Sequence, residues 1–305
     1  MKKAIESLVV LSSTLIILSV VAFGREEAET STTEPLPVKY EELTAVKFVS
    51  AVDKSSGTCV IPLGVLEKHG PHLPLGTDLI DVREIALRAA ATEYTIVFPE
   101  YYFSQIFEGK HQPGTIAYSH KIIWDLLQET CDELSRNGIK KIVIVNGHGG
   151  NDHFLRFFCQ AQLAARKDYT VYLFAPEEDP KVAEKVKKLR RTKTGGHACE
   201  VETSMMMAHR PELVQLDKAG DQSGEDQKRL KDLENAYVGI WWYASFPNHY
   251  AGDGSVATAE LGQVIMDGKV TQLVEMLGKV KKDKMVFELQ NRFFDEAESP
   301  LETEQ

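Results

Sequence analysis

The chain has 305 residues, of which 43% are hydrophobic and 26% charged, and its formal net charge is −10. That composition supports a folded core and leaves disorder only for the termini. The acidic balance argues against nucleic acid as a partner, because phosphate binding needs a concentrated basic face.

Residues 1–24 begin with Lys2 and Lys3, continue as a mostly apolar run from Leu8 to Phe23, and end in Ala22-Phe23-Gly24. A positive start, an apolar run and small residues at a cut site form the layout of a secretory signal. The chain is therefore expected to be exported, to a periplasm or to the outside. Left uncleaved, the same run anchors it in a membrane, its sole expected membrane contact. Residues 25–38 are polar with prolines and read as a tether. A domain is expected over 39–290, followed by an acidic, frayed tail over 291–305.

From residue 40, short apolar runs alternate with longer amphipathic ones. Residues 58–63, 95–98, 141–145 and 169–175 read as strands. Helices are expected over 79–92, 119–137, 151–166, 180–191, 200–208 and 258–278. Gly138 ends the second of these and Asn151 is expected to cap the third. The basic residues between Lys181 and Lys193 interleave with Val182, Val186 and Leu189, so they form the solvated face of an amphipathic helix. Alternating strand and helix implies an α/β fold with a parallel sheet covered on both faces. Cys59, Cys131, Cys159 and Cys199 show no C-x-x-C spacing and read as free thiols or a disulfide.

Three clusters carry chemistry. The first, residues 64–78, directly follows the strand at 58–63, and parallel sheets place their sites at the carboxyl ends of strands. Glu67 and His69 stand two apart, so an extended backbone projects them to one side. The Gly and Pro residues that follow can return Asp78 to the same point. Carboxylate, imidazole and carboxylate form a mixed N/O ligand set suited to Zn²⁺, Mn²⁺ or Fe²⁺. His72 reads either as part of this set or as structural. The second cluster, Asn146-Gly-His148-Gly149-Gly150-Asn151, ends the most apolar strand. Its glycines let backbone approach a ligand, and His148 reads as a metal ligand. It lacks the phosphate-loop pattern G-x-G-x-x-G. The third holds His197, Cys199, Glu200 and Glu202. If helical, Glu200 and Glu202 point about 200° apart, so only one can face a given site. No G-x-S-x-G elbow is present. Cys199 beside His197 is a rival nucleophile that leaves the other clusters unexplained.

Together these clusters resemble the creatininase (creatinine amidohydrolase) family. The resemblance spans roughly residues 62–262 and rests on Glu67-x-His69-Gly-Pro-His-Leu-Pro-Leu-Gly-Thr-Asp78, Asn146-Gly-His148-Gly-Gly-Asn151 and His197-Ala-x-Glu-x-Glu202-Thr-Ser. Pro113-Gly-Thr-Ile and Ala257-Thr-Ala-Glu-x-Gly262 add to it. It implies a three-layer α/β/α domain with a short, mostly parallel sheet, and a homo-oligomer, often a hexamer. It implies two divalent ions, Zn²⁺ and/or Mn²⁺ with Fe²⁺ as a third option. Glu67, His69, Asp78, His148 and Glu202 match ligand positions, with Asp78 bridging, and His197 matches a catalytic histidine. Where creatininases proper carry a metal-binding glutamate, this chain has Gly150. That places it in the His-Gly-Gly-Asn branch and speaks against creatinine itself. One ion is then held more loosely, or its ligands are completed by water or another carboxylate.

The expected activity is hydrolysis of a non-peptide C–N amide bond, linear or cyclic, in a small molecule. Its rivals are a formamidase or metallo-peptidase on the same site, and an exported metal- or solute-binding protein without turnover. His111, Gly149 and Trp242 are candidate substrate contacts. Trp241 and His249 lie in loops that can also line the pocket.

Overall fold

The structure, a computed structural model, describes residues 35–233 and 235–303. The expected export segment, residues 1–24, lies outside the described residues. No described helix is long and apolar enough to cross a membrane.

Four strands form one parallel sheet: β1 (Thr58–Leu63), β2 (Ile96–Val97), β3 (Lys141–Asn146) and β4 (Thr170–Phe174), in the order β2-β1-β3-β4. Alternate side chains of each strand serve opposite faces. Cys59, Ile61 and Leu63 of β1 join Ile142 and Ile144 of β3 in one core. Val60 joins Val143 and Val145 in the other. Burial on both faces explains why β1 and β3 read as unbroken apolar runs.

The first core is covered by α1 (Ala45–Lys54), α3 (His120–Arg136) and α4 (Asp152–Ala161). The second lies under α2 (Thr77–Thr92), α6 (Glu200–His209) and α8 (Ala259–Lys282). The result is the expected α/β/α layering. The basic run forms α5 (Pro180–Leu189), capped by Asp179. Its apolar side lays Val182 against Gly268 of α8, as the interleaved pattern implied. A short α7 (Trp241–Ser245) brings Trp241 and Trp242 to the pocket that also holds Glu67, Asp78 and His148.

Several expectations shift. Leu36 and Val38, expected in the tether, instead pack into the two cores, and Val97 N–H donates to the Val38 carbonyl. The break expected at residue 290 falls inside α9 (Met285–Glu298). Phe294 is buried there, and Arg166 pairs with Asp295 at 2.6 Å. An acid-rich surface had hidden one apolar helical face. Asn151 precedes α4 but makes no side-chain cap. Its Oδ1 instead accepts from the Ser104 hydroxyl (2.6 Å) and the Gln105 N–H (3.1 Å), tying the end of β3 to the loop before α3.

Candidate metal centre

β1 and β3 are adjacent and in register, with Leu63 opposite Asn146. The two Gly-rich segments that follow them therefore leave the sheet side by side. Gly147 allows β3 to end against the first turn of α2. A Cβ on it would come closer than 3.0 Å to the Asp78 carbonyl. The close approach fixes Asp78 between the two strand ends.

Glu67, His69, Asp78 and His148 converge and are all buried. Asp78 divides its carboxylate: Oδ1 lies 3.0 Å from His69 Nε2, and Oδ2 lies 3.1 Å from His148 Nδ1. Glu67 Oε1 is 2.7 Å from the same His148 nitrogen. Glu67 Oε1 and Asp78 Oδ2 are nonetheless buried without a hydrogen-bond partner. Uncompensated buried oxygens aimed at one point fit a cation. Two groups of ligand atoms close enough to hold an ion emerge among the described residues: Glu67, Asp78 and His148, and Glu67, His69 and His197.

The charges are strongly linked. Burial opposes ionisation of His69, but Asp78, Glu67 and Glu202 outweigh it and raise its pKa to about 10. Burial likewise opposes the Glu67 carboxylate, yet His148 and His197 hold it well below the usual range. Burial, with Asp78 and Glu67 nearby, pushes Glu202 up to about 7. Such a cluster binds a divalent ion in exchange for protons.

The third cluster starts α6. Glu202 opens toward the pocket, with 29% of its side chain exposed, and accepts from the Ala198 N–H. Glu200 turns away and accepts from the N–H groups of Arg191 (2.8 Å) and Thr192 (2.6 Å). Only one of the two acids faces the site. His197 Nε2 lies 2.8 Å from the Lys68 carbonyl. A carbonyl only accepts, so Nε2 carries the proton and Nδ1 is a free base. Burial pushes the His197 pKa down to about 3.

All four cysteines are free thiols. Cys199 is buried and its pKa is raised by that burial, so it is a poor nucleophile.

Two residues emerge that no motif marked. His249 has a left-handed backbone, φ +52°, uncommon outside glycine. Its Nδ1 accepts from Trp242 Nε1–H at 2.8 Å, so its Nε2–H donates to Glu67 Oε2. Trp242 thus reaches the centre through His249. Glu108 stands beside His148, with Oε1 3.5 Å from Nε2. Sequence showed His249 as one loop histidine among several, and showed nothing at Glu108.

A pocket of about 520 Å³ opens above these groups, walled by Gln105, Gly149, Arg156, Tyr237, Trp241 and Trp242. His111 lies outside it, in a neighbouring hollow, with Nε2 3.0 Å from the Pro247 carbonyl.

The creatinine amidohydrolase family model matches residues 41–277. The chain belongs to the creatininase family. Among its relatives within the family, the creatinine amidohydrolase of Pseudomonas putida is 27% identical over 196 residues, covering 59% of this chain and 75% of that one. The 3-dehydro-scyllo-inosose hydrolase of Thermotoga maritima is 25% identical over 280 residues, covering 82% and 85%. A solved creatinine amidohydrolase (creatininase) superposes with a TM-score of 0.71 at 22% identity, covering 82% of this chain and 100% of that one. This creatininase-family chain is therefore an enzyme, a metal-dependent amide hydrolase with the family fold and a small-molecule substrate.

His72, in the same segment as His69, has a structural place. Thr203 Oγ1 donates to the Ala198 carbonyl and so accepts from His72 Nε2–H at 2.8 Å. The other nitrogen, Nδ1, is buried without a partner. Protonating it would bury a charge, and burial lowers the His72 pKa to about 4. The unfolded chain takes that proton below about 6.5, while the folded chain resists until about 4. His72 therefore contributes stability that is complete above pH 6.5 and is lost as pH falls toward 4. The full loss is about 3 kcal/mol. Urea unfolding of metal-stripped protein should show this decline, and His72→Gln should flatten it. Equal slopes for the two proteins would reject the assignment.

Proposed function

We propose that the enzyme hydrolyses a non-peptide C–N amide bond, linear or cyclic, at a pair of divalent ions, Zn²⁺ and/or Mn²⁺. Glu67, Asp78 and His148 would hold one ion, and His69, Asp78 and Glu202 the other. The observation that carries this reading is the divided Asp78 carboxylate, with one oxygen toward each histidine. Bound ions supply a water ionised near neutral pH and a polarised carbonyl.

The side chains do the rest. His249 fixes the orientation of Glu67, and the aromatic wall of Trp241, Trp242 and Tyr237 narrows access for water. His197 Nδ1, kept unprotonated by burial, is the acceptor placed to hold a reacting O–H or N–H in position by hydrogen bond. His197→Ala should accordingly keep its ions and lose at least about 100-fold in turnover. Elemental analysis beside rate measurement tests this; loss of one ion in the variant would reassign His197 as a ligand.

A substrate panel read by released ammonia, formate or free amine tests the bond type. Cleavage confined to formamides or to peptides would replace the reading with a formamidase or a peptidase. Export and a homo-oligomeric assembly belong to the same proposal. Export is supported by the pattern of residues 1–24, and assembly by the family resemblance.

A further inference from the structure

Glu108 sits in the loop between β2 and α3, outside every motif. That loop is fastened over the centre by the Asn151 contacts described above. It is fastened again by Gln105, whose Nε2 donates to the Gly150 carbonyl at 3.0 Å and to Glu108 Oε1 at 3.3 Å. Glu108 is thereby held above His148. The His148 ring is used asymmetrically. Nδ1 faces Glu67 and Asp78, while Nε2 is buried without a hydrogen-bond partner, 3.5 Å from Glu108 Oε1. An imidazole that binds an ion through one nitrogen carries its proton on the other, and that N–H needs an acceptor. A closure of about 0.5 Å brings Glu108 to ordinary hydrogen-bond length.

Gly150 has a matching role. A Cβ there would come closer than 3.0 Å both to Glu108 Oε1 and to His148 Nε2. A side chain at 150 and the Glu108 carboxylate therefore exclude each other.

We infer that Glu108 is a positioning residue of the metal centre: its carboxylate accepts the Nε2–H of His148, aims Nδ1 at the ion shared with Glu67 and Asp78, and requires Gly150 to stay bare. The inference rests on the two-ion reading, and adds to it a residue that reading does not use.

The test is titration of the metal-stripped full chain with Zn²⁺ against a chromogenic chelator, with circular dichroism as the check on folding. Wild type should bind two ions. Glu108→Ala should weaken one of them by about 10- to 100-fold and leave the other unchanged. Glu108→Gln keeps an acceptor oxygen and should weaken the same ion less. Gly150→Ala should displace the carboxylate and weaken that ion about as much as Glu108→Ala. If Glu108→Ala does not fold, Glu108→Gln and Gly150→Ala decide the matter. Wild-type affinity in Glu108→Ala or in Gly150→Ala overturns the inference. Glu108→Gln as weak as Glu108→Ala also overturns it, by making Glu108 a direct ligand. A wild-type chain that binds no ion defeats the two-ion reading itself, and is recognised before any variant is compared.

Discussion

Asp78→Ala should lose both ions and all measurable turnover while remaining folded. Asp78 occupies the second position of α2 and is 5% exposed. Its two oxygens face different histidines, so one substitution removes a donor from each half of the centre. His148→Ala removes a donor from one half only, and should lose one ion. The fold survives because Asp78 takes no part in either apolar core. Loss of its charge near the α2 N-terminus costs about 0.3–1 kcal/mol; the lost buried pairing with His69 is offset because that imidazole can release its proton, and repulsion of Glu202 is relieved. Elemental analysis alongside circular dichroism measures both quantities. An Asp78→Ala variant with undiminished metal and activity would defeat the two-ion reading, as would a folded wild type that takes up no divalent ion when supplied with it.

The largest loss of stability should follow Gly262→Ala. Gly262 lies in the first turn of α8, where that helix crosses α6. A Cβ there would come closer than 3.0 Å to the Ser204 carbonyl and to Met205 N. These are backbone atoms, so no rotamer change relieves the clash, and the helices must separate. Overpacking a tight core costs about 1–3 kcal/mol, and a backbone clash belongs at the top of that range. A thermal melt should fall by at least about 6 °C. Glu202 is carried on α6 two residues from Ser204, so the variant should also bind the second ion more weakly. Gly220→Ala is the control, since nothing lies within 4 Å of a Cβ there. A Gly262→Ala melt matching that control would show that α6 and α8 tolerate separation.

The sequence by itself determined the layers and the kind of chemistry. β1 was read at its true bounds because a strand buried on both faces leaves an apolar run. The five helices α2, α3, α4, α6 and α8 that flank the sheet followed from periodicity. The metal-binding character of residues 64–78 and 146–151 was legible because donors crowded at a strand end have no use in a core. What periodicity could not reach was α1 and α9, whose packing faces are narrow, and the true role of Asn151, which spends its side chain on a distant loop instead of the next helix. The choice of Glu202 over Glu200, the proton positions on His197 and His249, and the place of Glu108 were decided only by the tertiary structure. The reason is physical. Backbone periodicity and donor chemistry are properties of short segments, whereas the direction of a carboxylate and the tautomer of an imidazole are set by whichever partner packing brings to them. His148 and Glu108 stand forty residues apart and meet only because the Asn151 and Gln105 hydrogen bonds fasten one loop over the other.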